Sequence, residues 1–244
     1  MTVNNPSAQL IIAARDLAAA VDRLNFQPPV THVYNPLDYA WPAHELYLRK
    51  FGRSKKRIVF LGMNPGPFGM VQTGIPFGEI SAVRDWLGIH AKIRKPKIEH
   101  PKRPVSGFDC LRSEVSGQRL WKLFADRFGT ADIFFTDHFV VNYCPLAFCG
   151  ESGCNLTPDK LRRSEREELF RICDGHLRCV LKILKPEWLI GIGDFAMKRG
   201  EIVSAGLNLQ LGKILHPSPA SPAANRGWAK MASRQLVESG VWKR

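Results

Sequence analysis

The stretch GMNPGPFGM, residues 62–70, follows a short hydrophobic run and changes abruptly to glycine, proline and one polar side chain, Asn64. A second stretch, HPSPASPAANRGW at 216–228, follows another hydrophobic run and opens with His216. In open α/β sheets, ligands bind outside the carboxyl ends of the strands, where such loops begin. The two stretches therefore predict an α/β fold with its chemistry at the ends of its strands.

Four segments are short and apolar enough to be buried strands, and predicted helices separate them. The predicted strands are 57–63, 133–143, 188–193 and 209–215. The predicted helices are 8–25, 79–87, 118–128, a long one capped by Thr157 with Pro158 first in the helix, 194–205, and a last one from Ser221 and Pro222 to Glu238. This alternation predicts a single α/β domain over residues 1–244. Its central, mostly parallel four-stranded sheet is flanked by helices, and the N-terminal helix of residues 1–25 packs on the domain.

Three of the four predicted strands end in a polar side chain set among proline or glycine, namely Asn64, Asn142 and His216. Carboxyl ends of parallel strands lie on the same edge of a sheet, so we expect these side chains to face one cleft. Each also has a structural interpretation. Asn64 can hold the turn before Pro65, Asn142 can cap its strand, and His216 can be a core histidine.

The net charge of +13, from 35 Lys and Arg against 22 Asp and Glu, favours a polyanionic partner. The basic residues concentrate at 49–57 and 92–103, where they could contact phosphates without reading sequence. The alternatives are a basic surface that only favours solubility and, for the two clusters, ordinary solvated loops. Residues 92–106, rich in proline and basic residues, are expected to form a long loop.

The six cysteines include no Cys-x-x-Cys pair, and the N-terminal apolar segment carries Arg15 and Asp16 in its middle, unlike a secretion signal. We expect reduced, buried cysteines in an intracellular protein, cytoplasmic in a bacterium or nuclear in a eukaryote. No apolar run is long enough for a membrane span, so no membrane partner is expected. The spacing of Cys144, Cys149 and Cys154 matches no iron–sulfur motif, and we expect neither a metal nor a cofactor.

The run GMNPGPFGMVQTGIPFG, residues 62–78, resembles the first signature motif of the single-strand-selective monofunctional uracil-DNA glycosylases, and 216–228 resembles their second. The segments HPKRPVSGFDC, SEVSG, NYCPL and NLTP are also similar to that family. Other uracil-DNA glycosylase branches carry an aspartate, in a Gln-Asp-Pro-Tyr motif, where this chain has Asn64. The resemblance implies an enzyme, and we expect it to be a monomer without a cofactor. It would hydrolyse the N-glycosidic bond of uracil, and of oxidised pyrimidines such as 5-hydroxymethyluracil, in single- and double-stranded DNA, leaving an abasic site for base-excision repair.

That chemistry assigns a role to each polar strand end. The carboxamide of Asn142 offers a donor and an acceptor that match O4 and N3–H of uracil but not the pattern of cytosine. His216 would donate a hydrogen bond to O2 of the departing base, and Asn64 would position the attacking water. No Gly-x-Ser-x-Gly elbow indicates a serine nucleophile, and the surroundings of Lys198 and Lys213 do not indicate a Schiff base.

The family pattern also implies a pocket for a flipped base. Phe77 would stack on the base, with ordinary packing as the alternative, and Gly66, Met70 and Met63 would shape the base-binding pocket, the first two near uracil C5.

The segment after His216 resembles the loop and short helix that this family inserts into the duplex. Its residues are Pro217, Ser218, Pro219, Ala220, Ser221, Pro222, Ala223, Ala224, Asn225 and Arg226. Ala220 stands where vertebrate members carry a basic residue. Arg226 and Lys230 could hold flanking phosphates or belong to an ordinary exposed helix face.

Three other functions stay open from the sequence. A non-catalytic single-strand binder would use the basic surface but would not need the three polar strand ends. An enzyme acting on free nucleosides or nucleotides would need neither the +13 charge nor the inserted segment. A mismatch-type or hypoxanthine-directed glycosylase would differ only in the details of its pocket.

Overall fold

The computed structural model describes residues 5–243; residues 1–4 and 244, which the predicted domain includes, lie outside the described part. Within it the α-helices are α1 Pro6–Val21, α2 Pro36–Tyr39, α3 Trp41–Phe51, α4 Met70–Thr73, α5 Val115–Phe128, α6 Ala131–Asp137, α7 Arg163–Leu184, α8 Asp194–Ser204 and α9 Trp228–Glu238. The strands are β1 His32–Tyr34, β2 Ile58–Gly62, β3 His138–Asn142, β4 Ala147–Cys149, β5 Asn155–Leu156, β6 Trp188–Ile192 and β7 Gln210–Ile214. A π-helical turn covers Ala82–Trp86, and 3-10 turns cover Gly107–Asp109, Pro158–Lys160 and Ala224–Arg226.

Four strands form a parallel sheet in the order β3-β2-β6-β7. In β2 the run IVFLG is buried throughout, as expected of a parallel strand covered by helices. The register pairs Gly62, the last residue of β2, with Asn142, the last residue of β3. The predicted α/β class, with a parallel four-stranded sheet flanked by helices, is therefore confirmed.

Helix α1 begins and ends earlier than the predicted 8–25. The side-chain oxygen of Asn5 accepts a hydrogen bond from the backbone of Ser7 at 3.1 Å, and Pro6 takes the first helical position, which together fix the start. The helix packs its buried stripe against α3 and α7 and ends at Val21.

The predicted strand at 133–143 is wrong over its first half. Thr130 accepts a hydrogen bond from the backbone of Ile133 through its hydroxyl at 3.3 Å and caps α6, so that helix precedes the strand β3. A short apolar run does not by itself distinguish a buried helix from a buried strand.

Two predicted helix starts are also corrected. Thr157 precedes only a 3-10 turn, after which Leu161 is extended and buried, and the long helix α7 begins at Arg163. After Ser221 the chain forms the 3-10 turn Ala224–Arg226, and the left-handed backbone of Gly227 (φ 104°) separates this turn from α9. Glycine adopts that conformation without steric cost, so the last helix begins after Gly227. At its other end α9 stops at Glu238, as expected.

A second, antiparallel sheet of order β1-β4-β5 was not predicted. Its strands contain only three, three and two residues, too few for an alternating pattern to stand out in the sequence. The sheet matters for the site because β5 leads directly into Thr157.

All six cysteines are free thiols. Cys144, Cys149 and Cys173 are buried as expected, whereas Cys154 and Cys179 are exposed and Cys110 is half-buried. Over residues 5–243 no cluster of three or more His, Cys, Asp or Glu side chains is arranged to hold a metal ion. In the same range, every helix is too short or too polar to span a bilayer.

Substitution of two glycines tests the packing of β6 against α8. A Cβ at Gly191 would lie 2.5 Å from the backbone nitrogen of Met197, which cannot move aside as a side-chain end could. We expect Gly191→Ala to lower the free energy of unfolding by about 1–3 kcal/mol. Gly175→Ala is the matched control, because a Cβ there meets no atom within 4 Å, and replacing an exposed helical glycine should raise stability by about 0.5–1 kcal/mol. Urea unfolding gives the free energy of unfolding of each variant. Equal changes in the two variants would contradict this packing.

Candidate active site

The carboxyl ends of β2, β3 and β7 open into a cavity of about 360 Å³. This volume lies in the range of small-molecule and cofactor sites. Seven of its lining residues were predicted from the sequence as site residues: Met63, Asn64, Gly66, Phe77, Asn142, His216 and Ser218. The others are Pro65, Pro67, Glu114, Ser116, Asn155 and Thr157. The parallel sheet therefore brings the three polar strand ends to one cavity, as their positions in the sequence indicate.

Asn64 has a fixed side-chain orientation. Its amide nitrogen donates to the carbonyl oxygen of Leu146 at 3.2 Å. Since that bond uses the nitrogen, the carboxamide oxygen is the group left to accept a hydrogen bond at the cavity wall. This arrangement suits the binding of a water molecule, whose O–H can donate to the oxygen.

Asn142 ends β3 as a half-buried residue whose carboxamide oxygen is buried. Its nitrogen contacts the sulfur of Met70 at 3.3 Å, and its oxygen Oδ1 is buried with no hydrogen-bond partner among the described residues. Leaving a buried acceptor unpaired costs about 1–3 kcal/mol. A ligand that donates to this oxygen would recover that cost.

Gly62 makes room for this arrangement. A Cβ built on Gly62 would overlap Oδ1 of Asn142 and the ring of Phe77. The glycine at the end of β2 therefore lets the carboxamide and the aromatic ring approach each other above the sheet.

Phe77 is held in a costly backbone conformation. Its φ of 53° lies in the left-handed region, which is a strained state for a bulky residue. The indole nitrogen of Trp121 donates to its carbonyl oxygen at 2.9 Å, and Gly117 lets α5 pack closely against that carbonyl. Such strain costs about 1–3 kcal/mol and concentrates at functional sites.

The hydrogen bonding of His216 favours one tautomer of its imidazole ring. The backbone nitrogen of Ser218 donates to Nδ1 of His216 at 3.1 Å, so the ring proton belongs on Nε2. Burial lowers the pKa of His216 below its ordinary value, because it disfavours the charged form. The ring therefore offers one neutral N–H donor, and its centroid lies 6.2 Å from that of Phe77.

Met70 is the one predicted base-binding residue that does not line the cavity. It is buried behind Asn142 and contacts that carboxamide through its sulfur. Met63 and Gly66 are in the wall itself, and the carbonyl oxygen of Met63 accepts from the backbone of Cys144 at 2.9 Å, which ties the first loop to the end of β3.

The segment 217–226 projects beside the cavity as an anchored loop. Pro217 and Ala224 are buried and hold it down, Ser218 and Ser221 are half-buried, and the exposed members are Pro219, Ala220, Pro222, Ala223, Asn225 and Arg226. Its internal hydrogen bonds run from the backbone of Ser221 to the carbonyl of Ser218 at 3.0 Å and from the side chain of Asn225 to the carbonyl of Pro219 at 2.9 Å.

Arg119, which the sequence analysis missed, fastens this loop to α5. Its guanidinium donates to the carbonyl oxygen of Pro217 at 3.0 Å and to the side-chain oxygen of Asn225 at 2.9 Å. No local pattern around Arg119 signals this role, because both partners lie about a hundred residues away in the sequence.

The two basic clusters differ in their position relative to the cavity. Residues 49–57 precede β2 and lie toward the opposite edge of the sheet, where Lys50 donates to the carbonyl of Leu87 at 2.8 Å and Lys56 is buried. The second cluster ends beside the first loop, where the guanidinium of Arg103 lies 5.3 Å from the ring of Phe68. Only the second cluster is therefore placed to contact a polyanion at the cavity.

The arrangement is that of an α/β enzyme with its reactive groups at the carboxyl ends of parallel strands. The family model of the uracil DNA glycosylase superfamily matches residues 49–238, and the chain belongs to that superfamily. Membership makes it an N-glycosylase, a hydrolase that acts on N-glycosyl bonds.

Individual relatives agree with this family. The single-strand selective monofunctional uracil-DNA glycosylase of Rattus norvegicus is 47% identical over 227 residues, which cover 92% of this chain and 82% of the relative. The corresponding protein of Bos taurus is 46% identical over 221 residues, covering 90% of this chain and 81% of the relative. The crystal structure of wild-type SMUG2 from Pedobacter heparinus shares the fold, with a TM-score of 0.67 at 18% identity over 94% of this chain and 97% of that one.

The ionisation of His216 can be measured directly. We expect NMR of the labelled protein to show the Nε2–H tautomer at pH 7 and a pKa below the ordinary value of 6.5, because burial disfavours the imidazolium. The unfolded chain then binds the extra proton more readily, so the contribution of this group to stability falls as the pH drops through that range. The variant His216→Gln assigns the signal. An Nδ1–H tautomer, or a pKa above 6.5, would contradict the assigned role of the Ser218 backbone.

Proposed function

We propose that this chain removes uracil from DNA by hydrolysing the bond between the base and its sugar, and that it leaves an abasic site in an unbroken strand. The observation that carries the proposal is the buried Oδ1 of Asn142, which has no hydrogen-bond partner in the described part of the chain. It lies beside Phe77 in the cavity that His216 and Asn64 also line. We propose further that the chain acts on DNA inside the cell as a single domain and a monomer.

The edge of uracil matches the groups at the end of β3. Uracil donates through N3–H and accepts through O4, whereas Asn142 offers the acceptor Oδ1 and the donor Nδ2. A uracil seated there would give the orphaned oxygen its hydrogen bond. Cytosine carries an acceptor at N3 and a donor at its exocyclic amine. In the same position it would set an acceptor against Oδ1 of Asn142 and a donor against Nδ2. The ring of Phe77 can cover the face of the base.

Departure of the base places negative charge on its O2. The neutral Nε2–H of His216 can donate to that oxygen, and a buried donor gains strength where solvent is excluded. Asn64 accepts a hydrogen bond from the attacking water through its carboxamide oxygen and thereby positions it at the sugar carbon. The amide is a poor base, so the reaction depends on placement and electrostatics.

A strand break would need an amine nucleophile that forms a Schiff base. The lining residues within the described range include no lysine. Lys213 is exposed and its ammonium pairs with Asp194 at 2.7 Å, outside the cavity wall. These observations support a monofunctional reaction.

Access to a base within a duplex requires that it be flipped out of the stack. The loop 217–226 supports this step because it is stiffened by prolines, fastened by Arg119, and exposed along Pro219–Ala220. Single-stranded DNA needs no such wedge. We propose that both forms are substrates and that uracil with a hydroxymethyl group on C5 is also released.

Base release from a labelled oligonucleotide holding one uracil, single-stranded or opposite guanine, tests this function. We expect strand cleavage only after alkali. His216→Ala should slow release by about 10²–10³-fold with little change in DNA affinity, because its hydrogen bond strengthens in the transition state. Asn64→Ala should also slow release, and the exposed His90→Ala should not. No release by the wild-type protein, or equal losses of affinity and rate in His216→Ala, would contradict the proposal.

The identity of the base reader is tested by Asn142→Asp. A carboxylate presents acceptors to the exocyclic amine of cytosine, so we expect release of uracil to fall and release of cytosine to rise. Asn155→Asp is the control, since it adds the same charge at another point of the cavity wall and should keep the preference for uracil. If Asn142→Asp keeps the strict preference for uracil over cytosine, Asn142 is not the residue that recognises the base.

A further inference from the structure

Glu114 contributes a buried carboxyl to the same cavity, and the proposed reaction does not use it. Its side chain lies against the first loop so closely that a Cβ at Gly66 or Gly69 would overlap its oxygens. Oε2 is buried and has no hydrogen-bond partner within the described part of the chain. The two glycines thus leave space that the carboxyl fills.

The neighbouring carboxyl of Glu79 is, by contrast, fully engaged. It accepts from the backbone of Ala82 at 2.9 Å and from the hydroxyl of Ser113 at 3.1 Å. Burial, and next the charge of Glu79, raise the pKa of Glu114 to about 7. A buried carboxyl oxygen without a hydrogen bond lowers the stability of the protein. Groups of this kind are typical of sites that bind a ligand.

The position of Glu114 relative to a bound base follows from the other contacts. If Asn142 pairs with N3–H and O4 while His216 pairs with O2, then C5 lies next to O4, on the side away from His216. The amide nitrogen of Asn142 that faces O4 is also the atom that contacts Met70, at 3.3 Å. Met70 directly follows the loop 66–69, against which the Glu114 carboxyl packs, and both that loop and Glu114 line the cavity. We therefore place C5 of a base in this pose toward Glu114.

We propose that Glu114 is a specificity-determining residue whose carboxyl hydrogen-bonds to a hydroxyl-bearing substituent on C5 of the base. This inference rests on the proposed function and names the group that reads one edge of its substrate. A hydroxyl can donate and accept, so it pairs with the carboxyl in either ionisation state. A methyl group on C5, as in thymine, would instead bury the carboxyl without a partner, and sites built to hydrogen-bond reject such analogues strongly.

The test compares kcat/KM for oligonucleotides that contain uracil, or uracil with a hydroxymethyl group on C5, at one position. In Glu114→Ala the value for the hydroxymethyl base should fall about tenfold relative to the value for uracil, the size of one hydrogen bond. Glu114→Gln should keep the wild-type ratio within about threefold, because its amide can still donate and accept. Asp126→Asn, which removes an exposed carboxyl from α5, is the charge control and should leave both values unchanged.

The outcomes separate the two proposals. If Glu114→Ala leaves the ratio of the two kcat/KM values unchanged, Glu114 does not have the proposed role. The same holds if Glu114→Ala and Glu114→Gln both lower kcat/KM equally for the two bases. Either result would leave the proposed function standing. If the wild-type protein releases neither base, the proposed function is overturned, and this inference with it. Thermal unfolding of each variant is measured beside the assay to confirm that it is folded. The inference is supported if Glu114→Gln keeps the wild-type ratio of kcat/KM values while Glu114→Ala loses activity on the hydroxymethyl base.

Discussion

The parallel pairing of β2 with β3 is the constraint on which the site depends. Its register ends with Gly62 opposite Asn142, so the loop after β2 and the carboxamide that ends β3 leave the sheet at the same level. Because Gly62 carries no side chain, the ring of Phe77 can approach that carboxamide. Parallel strands β6 and β7 extend the same edge and deliver His216 to it. A one-residue shift of β3 would turn the side chain of Asn142 to the other face of the sheet.

Several groups in this cavity are held in arrangements that lower the stability of the protein or restrict a side chain. Asn142 and Glu114 each bury an oxygen that has no hydrogen-bond partner among residues 5–243, and Phe77 adopts a left-handed backbone. His216 is kept neutral by burial and is oriented by the backbone of Ser218. Each of these features costs stability or restricts a side chain. Under the proposed function, each presents an acceptor, a donor or a ring to a planar base. Preorganised groups of this kind stabilise charge in a transition state without rearranging.

The strands of the large sheet and the convergence of Asn64, Asn142 and His216 could be predicted because both follow from local signals. Apolar runs that stop at glycine, proline and one polar residue mark buried strands and their ends. Glu114 and Arg119 could not be found in this way, since their partners are distant in the sequence. The apolar run that contains α6 was assigned to a strand because its helical start depends on a single capping hydroxyl, that of Thr130. The basic cluster at 49–57 illustrates the same limit, because charge shows in the sequence but the edge of the sheet on which it lies does not.

The central claim is that one cavity at the ends of three parallel strands receives, reads and releases a flipped uracil. A crystal structure of the Asn64→Ala variant bound to an oligonucleotide with one uracil tests it most directly. We expect the base inside the cavity, with its face against Phe77, its N3–H and O4 hydrogen-bonded to Asn142, and its O2 hydrogen-bonded to Nε2 of His216. A uracil that stays stacked in the DNA, or binds with its N3–O4 edge away from Asn142, would contradict it.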